Sequence, residues 1–147
     1  RTASGDALGE IRSVLGVLRE PDLAALPELL HRAEAAGLAV RSRVDLPPPA
    51  PSAAVQIAAY RIVQEALTNV VRHTSATAAD VRIQRTGEAV EVTVDDDGSP
   101  AAEIIAGNGL RGMAERAAGV GGECEAGPRP AGGFRVRARL PAGDGTR

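Results

Sequence analysis

The sequence predicts an α+β fold, a mixed and mostly antiparallel sheet with helices on one face. Two observations carry that expectation. Between Ala53 and His73 there is no Gly or Pro, and Val55, Ala59, Ile62, Val63, Ala66, Leu67 and Val70 fall on one stripe, the pattern of a long amphipathic helix. Val90, Val92 and Val94 alternate with polar residues, as do Phe134, Val136, Ala138 and Leu140, and each run follows a turn and an earlier apolar run. That is the pattern of two β-hairpins with one buried face.

The chain has 147 residues, one domain's worth. Leu8, Ile11, Leu15 and Leu18 sit at i, i+3, i+7 and i+10, a helical stripe that Pro21 ends. The sequence opens almost inside this stripe, so a longer parent chain is expected. A second helix takes Pro27 in its first turn, Leu26, Leu29 and Leu30 on its apolar face, and Gly37 just past its end. Leu38, Val40, Val44 and Leu46 then alternate with Arg41, Arg43 and Asp45, which predicts a half-buried strand interrupted at Ser42. Pro47-Pro48-Pro49-Ala50-Pro51 is too stiff for a helix or a central strand. It reads as a rigid loop inside one domain, because nothing before it could fold alone.

Ser52 is placed to cap the long helix. Val81 and Ile83 begin a strand, Gly87 turns the chain, and Val90 to Val94 return. An irregular stretch follows Asp95-Asp96-Asp97-Gly98. A helix is then expected from about Leu110 to Ala118, broken by Gly121-Gly122. A short strand around Cys124 leads through a Gly- and Pro-rich loop into Phe134–Leu140, where Arg135, Arg137 and Arg139 occupy the other face. That arginine face reads as solvated, His31 as a surface residue, Cys124 as a buried inert thiol, and Met113 and Phe134 as core. The chain after Pro141 is expected to fray.

Composition narrows the function classes. Net charge is −2, which gives no basic field for nucleic acid. No apolar run reaches the roughly 20 residues of a membrane-spanning helix, and the first residues lack the apolar stretch of a signal peptide. The single cysteine excludes an internal disulfide framework and a cysteine-cluster zinc site. All 17 basic residues are arginine, so no lysine takes part in catalysis.

Three constellations can carry chemistry. On the long helix Glu65 and Asn69 are four residues apart and stack on one face, with Arg72 three beyond. A carboxylate, a neutral oxygen ligand and a guanidinium suit a magnesium–phosphate group, and Glu65 could orient a nucleophile or take its proton. A plain polar helix face is the alternative. Asp96-Asp97-Gly98 ends a strand, where a buried carboxylate can accept a hydrogen bond from an exocyclic amine such as that of adenine. Gly98 would let a flat ligand approach. A simple turn is the alternative there, and the spacings of a calcium loop are missing. Gly107-Asn108-Gly109-Leu110-Arg111-Gly112 opens a helix whose free N–H groups favour phosphate, though it is neither a Walker loop nor a dinucleotide fingerprint.

Taken together, the string from Tyr60 to His73, the segment Val94–Gly98 and the loop Gly107–Gly112 resemble the ATP-binding domain of sensor histidine kinases. The similarity is to the subfamily that signals to helix-turn-helix response regulators of the nitrate/nitrite type, and it runs from about Leu26 to Pro141. It implies the two-layer α/β sandwich of Bergerat type shared with gyrase and heat-shock ATPases. It implies ATP and Mg2+ as cofactors, with Asn69 holding the metal and Glu65 in the acid/base or orienting role. Arg72 and His73 would approach the phosphates, Asp96 would bind the adenine amino group and Gly98 would line the base. Gly107, Gly109 and Leu110 would close a lid, and Gly133 would lie on the adenine side.

The resemblance also divides the chain. Residues 1–22 would be the remnant of a dimerisation helix with its linker, and 23–147 the ATP-binding catalytic domain. The implied partners are the phosphoacceptor domain of the same homodimeric parent and a cognate response regulator, with no nucleic acid and no membrane contact by this stretch. The implied setting is cytoplasmic, whether or not the parent is anchored in a membrane. Two departures stand out. Pro100 replaces the second glycine of the family's D-x-G-x-G, and neither His31, followed by Arg32, nor His73, followed by Thr74, has the acidic neighbour of a phosphoacceptor. An ATP-sensing module without transfer activity and a serine kinase of the anti-sigma-factor type are the alternative readings.

Overall fold

The computed structural model describes residues 20–98 and 108–143. The Leu8–Leu18 stripe, Ser99, Pro100 and Gly107 lie outside the described residues, as do the side chains of His73 and Asn108.

A short 3-10 turn over Leu23–Ala25 is capped by Asp22, whose carboxylate accepts the Ala24 N–H at 2.9 Å. Helix α1 (Leu26–Ala35) follows, with Pro27 in its first turn and Leu26, Leu29 and Ala33 buried. Strand β1 is Ala39–Asp45, helix α2 Ala53–His73, and strands β2 and β3 are Ala78–Thr86 and Ala89–Asp96. Helix α3 spans Asn108–Gly119, two residues earlier than the expected start. Strands β4 (Glu123–Pro128) and β5 (Phe134–Pro141) form the last hairpin.

The sheet order is β1-β2-β3-β5-β4. Only β1 and β2 are parallel; every other pairing is antiparallel. The pairing of β1 with β2 spans the proline-rich segment, so both sides of it belong to one domain. Arg85 ties that segment down by donating to the Pro49 carbonyl.

The core lies between the helices and one sheet face. Val81, Ile83, Val90, Val92, Ala138 and Leu140 meet Ala59, Ile62 and Val63 of α2 and Met113 and Ala117 of α3. Burying each large side chain contributes about 1.5–3 kcal/mol. Ser52 caps α2 by accepting the Val55 N–H at 3.3 Å.

Two local expectations are corrected. Strand β1 is an edge strand and mostly exposed, not half-buried: Val40 is partly covered, but Val44 is 49% exposed. Its alternation has the right period, and Leu38, Val40 and Leu46 reach the core, but Val44 does not. The first residue after Pro141 is also tied down, against the expected fraying. Ala142 is buried, donates to Glu88 O and accepts from Ser52 N, both at 2.9 Å.

Candidate functional site

The ends of β3 and β5, the middle of α2 and the first turn of α3 converge on one side of the sheet. Asp96, the last residue of β3, is buried at 3% exposure. Its Oδ1 accepts the Gly98 N–H at 2.8 Å. Burial pushes its carboxyl above the ordinary value, a shift that the Gly98 hydrogen bond opposes and the neighbouring Asp97 reinforces.

The Asp96 side chain lines a narrow pocket whose other walls include Ala66, Val70, Val94, Leu110, Phe134 and Val136, with Asn69 and Thr74 at its polar edge. Apolar walls with one convergent carboxylate are the arrangement that grips a flat ring carrying a hydrogen-bond donor.

Two glycines set the backbone beside Asp96. A Cβ on Gly98 would collide with the backbone of Ala76, and a Cβ on Gly133 would collide with the Asp96 carbonyl oxygen. Gly133 also holds φ at +91°, where side chains are strained. Both positions therefore require glycine for close backbone approach.

Glu65 and Asn69 are half-buried on adjacent turns of α2. A Cβ on Gly109 would lie 2.8 Å from Asn69 Nδ2 and 3.1 Å from Glu65 Oε2, so the first turn of α3 rests directly on this pair. The start of a helix, the end that carries the positive pole of its dipole, thus packs on a carboxylate and an amide.

The structure brings together Glu65, Asn69, Asp96, Gly98, Gly109, Leu110 and Gly133. Arg72 is exposed and lines a separate groove between α1 and α2, with Leu29, Arg32, Ala33 and Val71. His73 ends α2, and Gly107 falls outside the described residues.

Sequence reasoning missed several supporting residues. Asp97 read as part of a turn. Its Oδ1 accepts the N–H groups of Thr77 and Ala78 at 2.9 and 3.1 Å, and its Oδ2 accepts the Thr77 hydroxyl at 2.9 Å. These bonds hold its carboxyl below the ordinary value and fasten the end of β3 to the start of β2. On the opposite sheet face Arg135, Arg137 and Arg139 are not merely solvated. Arg135 grips Asp95, while Arg137 and Arg139 reach Glu91 at 2.9 and 3.5 Å. The β3–β5 register decides those pairs, and a sequence alone does not display it.

A family model described as histidine kinase-, DNA gyrase B-, and HSP90-like ATPase matches residues 54–144. The chain belongs to this family. The match runs from the first turn of α2 to just past β5 and contains every site residue assembled above. Membership in this ATPase family makes the chain an ATP-binding domain.

Among curated relatives, the chain is 33% identical to the sensor histidine kinase YxjM of Bacillus subtilis, over 92% of this chain and 35% of that protein. It is 31% identical to the signal transduction histidine-protein kinase/phosphatase UhpB of Salmonella typhimurium, over 76% of this chain and 24% of that protein. The chain thus spans about a third or less of the relatives' length. Among solved structures, the ATP binding domain of PrrB from Mycobacterium tuberculosis is 28% identical with a TM-score of 0.60, covering 83% of this chain and 95% of that one. The blue-light activated histidine kinase of Erythrobacter litoralis EL346, at 24% identity and a TM-score of 0.62, covers 83% of this chain and 45% of that one, and shares the fold. The α/β sandwich expected from the resemblance is the observed architecture.

Proposed function

We propose that this ATPase-family chain is the catalytic domain of a sensor histidine kinase, which binds Mg-ATP and presents its γ-phosphoryl group to a histidine outside this chain. The observation that carries the reading is the buried Asp96 carboxylate at the end of an apolar slit, flanked by two glycines that sterically need to be glycine.

The residues fit the nucleotide chemically. Asp96 accepts a hydrogen bond from the adenine amino group, and Val94, Phe134 and Val136 contact the ring. Guanine carries an acceptor where adenine carries that donor, so Asp96 sets base choice. Gly98 and Gly133 line the base side. Among the described residues no group of three His, Cys, Asp or Glu could hold a metal. A magnesium ion would be held jointly by the Asn69 side-chain oxygen, phosphate oxygens and water, which suits its reluctance to shed its hydration shell. When bound, Mg-ATP supplies the transferable group and neutralises its developing charge.

Glu65 orients the acceptor imidazole or takes the proton from its ring nitrogen. Gly107, Gly109 and Leu110 belong to the lid, and His73, at the end of α2, approaches the phosphates; Arg72, implied as a phosphate contact, faces the groove toward α1 instead. The slit holds about 10 Å3 of free space, one water's worth. Base binding therefore requires the slit to widen.

The rest of the parent follows from the same reading. Residues 1–22 belong to the dimerisation helix and its linker, and 23–147 form the catalytic domain. The partners are the phosphoacceptor domain of a homodimeric parent and a cytoplasmic response regulator of the nitrate/nitrite type. No described helix is long and apolar enough to cross a membrane. Incubation with labelled ATP and a supplied phosphoacceptor domain tests the reading. Acid-labile, alkali-stable label on that domain supports it; acid-stable label points to a serine kinase; nucleotide binding without transfer points to a sensing module.

A further inference from the structure

On the sheet face opposite the nucleotide slit, Asp95 is 5% exposed. Arg135, directly across from it on β5, grips it with a two-point fork: Nε to Oδ1 at 2.7 Å and Nη2 to Oδ2 at 2.9 Å. Arg82 of β2 stands 3.7 Å away, and Arg129, which follows β4, stands 3.9 Å away.

Arg129 and Arg135 flank the turn that carries Gly133. That turn is closed by the Arg129 N–H donating to Gly133 O at 2.9 Å and the Gly132 N–H donating to Arg129 O at 3.0 Å. One carboxylate thus holds one end of it by hydrogen bonds and attracts the other across 3.9 Å. Gly133 in turn abuts the Asp96 carbonyl. Alternation along β3 points Asp95 and Asp96 to opposite faces, so Asp95 cannot touch a ligand in the slit.

We propose that Asp95 is a positioning residue for base selection: by anchoring Arg129 and Arg135 it fixes the Gly133 turn against Asp96, and so sets where the Asp96 carboxylate meets the base. The proposal rests on the reading of Asp96 as the adenine acceptor. A tight bidentate pair suits this role better than a loose surface pair, because its geometry transmits position as well as charge. The neighbouring Glu91–Arg137 pair lies on the same face, farther down the strands from the slit.

The test is the ratio of ATP to GTP dissociation constants on the full chain, measured by calorimetry below each variant's melting temperature. Asp95→Asn and Arg135→Gln should each lower the preference for ATP roughly tenfold, by analogy with the loss on removing the hydrogen-bond partner of a metal-ligating side chain. Arg135→Lys should retain part of the preference, because it keeps the charge and loses the fork. Arg137→Gln should leave the ratio unchanged. A merely structural role would lower the melting temperature and leave the ratio alone, and that result in folded Arg135→Gln overturns the proposal even if Asp95→Asn does not fold. Collapse of the preference in Asp96→Ala with no change in the Arg135 variants rejects only the positioning role. An unchanged preference in Asp96→Ala rejects the adenine reading, and the proposal with it.

Discussion

Gly133 packs so closely on the Asp96 carbonyl that a single added methyl group has no room between them. Gly133 ends the turn before β5 and Asp96 ends the adjacent strand β3, and the contact fixes the backbone from which the buried carboxylate projects. Gly133→Ala should therefore destabilise the chain by about 1–3 kcal/mol, from strain at a positive φ plus the displaced strand end. It should weaken ATP binding as well. Thermal denaturation and calorimetry check the two effects separately.

Burial pushes the Asp96 carboxyl above its ordinary value of 3.8. Between that value and the folded one, the native chain holds a proton that the unfolded chain has released. Asp96 thus favours folding fully below 3.8, and the contribution is lost as pH rises through its folded value. The stability of the wild-type chain relative to Asp96→Asn should fall with rising pH across that interval, as urea denaturation at several pH values would measure.

Asp97 titrates in the opposite sense. The hydrogen bonds from Ala78 and Thr77 hold its carboxyl below 3.8. Its contribution is present above 3.8 and lost as pH falls through its folded value. Asp97→Asn should be less stable than wild type at neutral pH and match it in strong acid. A deficit that persists unchanged in acid would assign the loss to something other than the charge.

The Cys124 thiol is pushed up to about 11, chiefly by burial, with the neighbouring Glu125 adding to the shift. Little thiolate exists near neutral pH, and the thiolate is the nucleophile. Iodoacetamide should label the native chain slowly at pH 7.5 and the urea-unfolded chain at the rate of an ordinary cysteine. Mass spectrometry reads both rates.

The parts of the site that sequence displays are those written in short spans. Glu65 and Asn69 lie within one helix, and its freedom from Gly and Pro makes that helix legible from Ala53 to His73. Asp96-Asp97-Gly98 ends an alternating run. The parts it hides depend on pairing between distant segments. The clamp of Asp95 by Arg135 needs the β3–β5 register, and the bond that Thr77 donates to Asp97 needs β2 beside β3. Arg72 follows Asn69 by three residues, yet it lines the groove toward α1, because where a helix face points is decided by what packs beside it. Val44 keeps a strand's alternation, but an edge position beyond the helix layer leaves it exposed.

The central claim is a buried adenine acceptor on a magnesium-dependent nucleotide site. Calorimetric titration of the chain with a non-hydrolysable ATP analogue, with and without Mg2+, and with the guanine counterpart, tests it most directly. The account predicts binding that strengthens with Mg2+ in wild type, loses most of that dependence in Asn69→Ala, and loses its preference for adenine in Asp96→Ala. No heat of binding at millimolar analogue, or equal affinity for both bases in the wild-type chain, would contradict it.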